Sequence, residues 1–212
     1  MKRPANPLHV LIIPGLRGRE AAHWQSWLQG QYRDVERVIR PDWTKPDPIA
    51  WSEQIALTIK RHDLGTRWIA VAHSFGCVAL THRLTSVRPG GPGGVVAALM
   101  VAPADPVKIQ SEDRLPAHPL GIKTTLIGSE NDPWMPLDPS RAWAGRWDAR
   151  LHNLGQAGHI NTASGFGPWP LARVMVDGLI RRAALDAPQD LGPRREASAP
   201  PGVATQRLNP VA

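Results

Sequence analysis

The sequence predicts one α/β domain on a six-stranded, mainly parallel sheet in the order 2-1-3-4-5-6, with helices on both faces. Three observations carry that expectation. Apolar runs alternate with helix-compatible segments along most of the chain. Several runs, Val95–Val101 above all, are apolar throughout rather than at every second residue, as strands buried on both faces are. Between them stand Gly/Pro-rich breaks such as Pro14-Gly15 and Pro89-Gly90-Gly91-Pro92.

Taken in order, Leu8–Ile13 reads as a buried first strand ended by Pro14-Gly15, and Glu20–Gly30 as a helix closed by glycine. Asp34–Arg40 gives a second strand before a proline-rich turn. Asp47 then caps a helix with Pro48 at its first position, and Trp51, Ile55 and Ile59 recur down one face. Arg67–Ala72 is the third strand, Phe75–Val87 a helix and Val95–Val101 the fourth strand. The stretch Ala102–Gly121 has no clear period and four prolines, so it is expected to be a loop with at most one helical turn, a small flap rather than a large cap. Lys123–Ile127 is the fifth strand, Pro139–Trp147 a short helix, Arg150–Leu154 the sixth strand and Trp169–Leu185 the last helix. These elements make a domain over residues 1–185. Residues 186–212, rich in Pro, Ala and Gly and without periodicity, are expected to form a disordered tail.

The 212 residues suffice for one core of ordinary size. No apolar run approaches the length of a membrane span, and Leu8–Ile13 is too short for the apolar part of a secretion signal. With a single cysteine, Cys77, no intrachain disulfide can form, and a cytoplasmic location is expected. The net charge of +7 suggests nucleic acid as a partner, but the basic residues are scattered and no block of them alternates with aromatics, so that class is set aside. No His/Cys/Asp/Glu cluster has ligand spacing, and neither a metal nor a cofactor is expected.

The chemistry is read from Ile69–Cys77, where an apolar strand runs straight into Ala72-His73-Ser74-Phe75-Gly76 and a helix follows at once. A serine flanked by small residues at a sharp strand-to-helix turn has its hydroxyl lifted above the sheet. The usual pattern has glycine where this chain has Ala72. A serine nucleophile needs a base, and the base needs an acid to orient it. Asp132, in Gly128-Ser129-Glu130-Asn131-Asp132-Pro133, follows the fifth strand, and His159, in Gly155-Gln156-Ala157-Gly158-His159, follows the sixth. All three lie beyond strand ends, where a parallel sheet gathers functional groups, and they stand in the order Ser…Asp…His. Glu130 and Asp105 are the competing acids. The backbone N–H groups of Phe75 and of Leu16, with Arg17 as the alternative to Leu16, are the expected oxyanion donors.

Around this core, Arg17, His23, Trp24 and Trp134 are candidates for the substrate pocket, with Trp43 and Trp169 as further neighbours; so many tryptophans suggest apolar acyl groups. His73 reads as a packed histidine bonded to backbone, and Cys77 as a small buried residue. The Gly15/Gly18 loop lacks both the Gly-Lys-Ser/Thr run of a phosphate loop and the third glycine of a dinucleotide fingerprint.

Together, Pro14-Gly15-Leu16, His23-Trp24, Asp42-Trp43, Ala72–Gly76, Asp132-Pro133-Trp134 and Gly158-His159-Ile160-Asn161 resemble the α/β hydrolases, and within them the small serine hydrolases related to retinoblastoma-binding protein 9. The resemblance runs from about Leu8 to Leu185. It implies Ser74, Asp132 and His159 as the triad, tolerance of alanine at position 72, and an intracellular hydrolase of small-molecule esters or peptides. Two rival readings use the same fold: a protein-interaction module without catalysis, and an acyltransferase with the same triad.

Overall fold

The computed structural model describes residues 7–16, 18, 20–39, 45–86 and 94–186. The expected tail from 187 onward, Arg17 and Asp42-Trp43 lie outside these residues. Six parallel strands, β1 (Leu8–Ile13), β2 (Val35–Arg37), β3 (Arg67–His73), β4 (Val95–Val101), β5 (Lys123–Gly128) and β6 (Arg150–Asn153), form one sheet in the order β2-β1-β3-β4-β5-β6. The helices are α1 (Trp24–Gln29), α2 (Pro48–Lys60), α3 (Phe75–Thr85), α4 (Leu137–Trp147) and α5 (Pro170–Leu185).

Alternate side chains of each central strand feed two separate cores. Leu11, Ile13, Ala70, Ala72, Ala98 and Met100 pack with residues of α2, α3 and α4 on one face. Val10, Ile12, Ile69, Val71, Leu99 and Val101 pack with residues of α1 and α5 on the other. A strand with both faces covered has no position left for a polar side chain, which is why these runs are continuously apolar.

Most elements fall where the sequence puts them, and the exceptions have local causes. Helix α1 begins at Trp24 rather than Glu20 because His23 is extended (φ −70°, ψ 143°) and its ring accepts from Gln25 N, making it the N-cap. Strand β2 is short, although Val38 N still donates to Ile12 O at 2.9 Å beyond its end. Asp47 caps α2 through Ile49 N and Ala50 N, with Pro48 first in the helix. The 102–121 stretch holds one 3₁₀ turn, Glu112–Arg114, and packs back on the body: Leu115 and Leu120 are buried, and Trp147 Nε1 donates to Pro116 O. No large cap rises from it.

The chain leaves β1 for β2 on one side and reaches β3 on the other, so the carboxyl ends of β1 and β3 stand side by side, with Ile13 aligned to Ala72. Loops diverge at such a switch point and leave a crevice.

Candidate active site

Ser74 occupies the turn between β3 and α3 with φ 53° and ψ −124°, a region a non-glycine residue rarely enters. Holding it there costs on the order of 1–3 kcal/mol. The turn is fixed by Ser74 N donating to Val101 O (3.0 Å) and Cys77 N donating to Ser74 O (3.0 Å). Two glycines let the neighbouring β1 loop close on it. A β-carbon at Gly76 would lie 2.5 Å from the carbonyl oxygens of Ile13 and Pro14, and one at Gly15 would lie 2.8 Å from Ser74 Cβ. Ala72, the departure from the usual pattern, is fully buried in the α2–α4 core, where a methyl group fits.

The three residues selected from the sequence meet at this turn. His159 Nε2 lies 2.9 Å from Ser74 Oγ, and His159 Nδ1 lies 2.9 and 3.0 Å from the two oxygens of Asp132. A carboxylate accepts only, so Nδ1 carries the ring proton and Nε2 accepts from the serine hydroxyl. Asp132 is buried and also accepts from Trp134 N at 2.9 Å. The competing acids face elsewhere: Glu130 accepts from Asn153 Nδ2, and Asp105 accepts from Val107 N in its own turn.

Besides Gly158, Ile160 and Asn161 of its own motif, the His159 loop is held by Ser164 and Asn131, for which the sequence predicts no role. Gly158 and Ile160 flank the histidine with φ 57° and 48°. His159 N donates to Ser164 Oγ (3.1 Å), itself bonded to Asn161 Oδ1, and Gly158 N donates to Asn131 Oδ1 (2.7 Å). His73 does bond to backbone as expected, and its acceptor is the His159 carbonyl, 3.0 Å away. Gln25 is a further unforeseen residue: its side-chain amide donates to Ile13 O and Val71 O beneath the site.

The pocket candidates divide. His23 and Leu16 border a cavity of about 70 Å³ that also contains Ser74 and His159. Trp134 is exposed on the outer side of His159, with ring centroids 6.2 Å apart. Trp24 is not in the pocket. It is fully buried, and its Nε1 donates to Ile160 O at 2.9 Å, so it braces the histidine loop from behind. Trp169 packs on Trp24 rather than on the cavity. Of the four tryptophans behind the expectation of apolar acyl groups, Trp24 and Trp169 are thus turned away from the cavity, Trp134 stays beside His159, and Trp43 lies outside the described residues. Cys77 is buried with its Sγ 3.7 Å from Val101 O, and burial pushes its thiol far up. Among the described residues no group of His, Cys, Asp and Glu could hold a metal, and no helix is long and apolar enough to cross a membrane. A wider cavity, about 540 Å³, opens at the opposite, amino ends of β4–β6 beside Lys123 and Arg150, away from all three triad candidates.

Two buried histidines make the fold sensitive to acid. Burial lowers His23 from its ordinary 6.5 to about 4 and His73 well below 6.5. Below about pH 6.5 the unfolded chain protonates both rings while the folded chain leaves them neutral. The unfolded state then binds more protons, so stability is full above pH 6.5 and falls as pH drops toward 4. His23 alone accounts for about 3 kcal/mol over that window. The urea midpoint should decline between neutral pH and about 4.5. A midpoint that holds constant or rises on acidification would contradict neutral burial.

The chain is similar to known hydrolases. A family model described as serine hydrolase matches residues 10–178. Among curated proteins, none matches the chain. Among solved structures, a YdeN-like hydrolase from Pectobacterium atrosepticum shares 32% identity at a TM-score of 0.73, covering 84% of this chain and 90% of that one. The ydeN gene product of B. subtilis is similar at 18% identity and TM-score 0.67, covering 83% and 99%. A thermophilic esterase from Thermogutta terrifontis is similar in fold at 15% identity and TM-score 0.53, covering 87% and 85%. The α/β-hydrolase fold follows from the all-parallel sheet and these neighbours, and the family follows from a model matched over most of the sequence: the chain belongs to the serine hydrolases.

Proposed function

We propose that this hydrolase cleaves carboxylic esters of small molecules through an acyl-enzyme on Ser74, with His159 as base and Asp132 as its orienting acid. The observation that carries the reading is the unbroken chain from Ser74 Oγ through His159 to Asp132. As Oγ attacks the ester carbonyl carbon, its proton passes to His159 Nε2, and the imidazolium is held by the Asp132 carboxylate. The carbonyl oxygen becomes an oxyanion. Phe75 opens α3, so its N–H has no acceptor within the helix and is free to meet that charge. Leu16, on the facing loop of the same cavity, supplies the second N–H in this reading. The C–O bond to the alcohol then breaks, and the alcohol leaves with the proton from Nε2. Water repeats the sequence on the acyl-serine: it gives a proton to His159, releases the carboxylic acid and restores Ser74.

A fluorophosphonate probe tests the proposal. Labelling should be stoichiometric and map to Ser74 by peptide mass spectrometry. Failure of the folded protein to label would favour the non-catalytic interaction module. An added alcohol or amine separates the remaining alternative, since an acyltransferase diverts most of the acyl group to it and a hydrolase releases mainly acid.

A further inference from the structure

His23 holds a particular place beside the nucleophile. As N-cap of α1 it accepts from Gln25 N through Nδ1 at 3.2 Å. A ring nitrogen that accepts carries no proton, so the neutral imidazole bears its hydrogen on Nε2. Burial keeps the ring neutral at ordinary pH. The ring is wedged against Trp24 and His73, with centroids 5.5 and 4.8 Å away, so its direction is set by packing. Nε2 has no hydrogen-bond partner among the described residues, and His23 borders the cavity that holds Ser74 and His159.

The size of that cavity restricts what can enter. Its volume is about 70 Å³. An apolar cavity of about 150 Å³ takes benzene, so this one has space for about three heavy atoms. Glu20 borders the cavity and is exposed. Beside His159, Trp134 is exposed to solvent, and in this reading the alcohol portion of the ester faces that side.

We propose that this cavity receives the ester carbonyl and a short acyl group, and that His23 Nε2–H selects acyl groups carrying an ether, hydroxyl or keto oxygen. The proposal rests on the acyl-enzyme reading of Ser74. It separates recognition into a demanding acyl side and a permissive alcohol side.

The test compares acetyl, butanoyl, methoxyacetyl and octanoyl esters of one phenol by kcat/KM, in the native chain and in His23→Asn and His23→Phe. Asparagine keeps an N-capping oxygen but does not reach the Nε2 position, whereas phenylalanine keeps the ring volume without the donor. Octanoyl should fall at least about tenfold below butanoyl, through crowding of the pocket. The methoxyacetyl-to-butanoyl ratio should drop about five- to tenfold in both variants, the effect of one lost hydrogen bond. Intrinsic ester reactivity cancels in that comparison, and a purely structural defect would slow both esters alike. Octanoyl cleaved as well as butanoyl overturns the size limit. An unchanged ratio in the variants overturns the role of His23. Fluorophosphonate labelling of Ser74 is measured alongside: loss of labelling in the native chain refutes the underlying acyl-enzyme reading, whereas retained labelling with unchanged ratios refutes this inference alone.

Discussion

Replacing Ser74 with alanine should lower kcat about 10⁶-fold, the loss found when a triad serine is removed, while the protein stays folded. The size of the effect follows from the geometry. Oγ is the group His159 Nε2 faces at 2.9 Å, and no other side-chain hydroxyl is in that position among the described residues. A water occupying the vacated space could be activated by the same base, but it lacks the fixed position of a covalently held oxygen. The fold should tolerate the change because the structural bonds of the turn, to Val101 O and from Cys77 N, use the backbone of residue 74. Both serine and alanine bear the cost of positive φ there. Turnover and thermal melting measured together provide the check. Turnover within about tenfold of the native value would sink the triad assignment.

Asp132→Asn should reduce kcat about 10⁴-fold with a much smaller change in KM. The carboxylate accepts from His159 Nδ1 through both oxygens, and Oδ1 also accepts from Trp134 N. An asparagine would keep Oδ1 on Trp134 N and turn its amide N–H₂ toward the ring. Facing a donor, Nδ1 becomes the acceptor and the ring proton moves to Nε2. His159 then presents a hydrogen to Ser74 instead of a lone pair, and proton abstraction fails although the outline of the site is unchanged. Steady-state kinetics test this directly. A small loss would mean that orientation of the ring depends on its packing, not on the acid.

Ser74 could be anticipated because it directly follows β3, a long apolar run, whereas β5 (Lys123–Gly128) and β6 (Arg150–Asn153) are weaker signals. Asp132 and His159 stand out instead through the chain order Ser…Asp…His and their turn-rich contexts. Continuous apolarity in β1, β3 and β4 also made the parallel sheet legible, since alternating side chains serve two cores. What supports the histidine was not legible. Asn131, Ser129 and Ser164 are small polar loop residues of a kind found in any turn; the partners of Asn131 and Ser129, Gly158 N and Ala157 N, lie in another loop, and that of Ser164 is His159 N in its own. Trp24 was misread for a related reason. A tryptophan at the start of a helix near the site can face the crevice or the core, and only the packing of α1 against the α5 side of the sheet settles which. The onset of α1 was likewise obscured because histidine is an uncommon N-cap.

The bonds that brace His159 have a consequence for assembly. Trp24 reaches Ile160 across 136 residues, His73 reaches the His159 carbonyl across 86, and Ser74 reaches the ring across 85. Each ties the last third of the chain to its first half, so the entropy of closing those long loops must be overcome before the nucleophile has its base. Partial collapse of the amino-terminal strands can bury a core without creating a competent serine. Activity is therefore a late and all-inclusive signature of folding: a chain that hydrolyses has joined its two ends of sequence into one body.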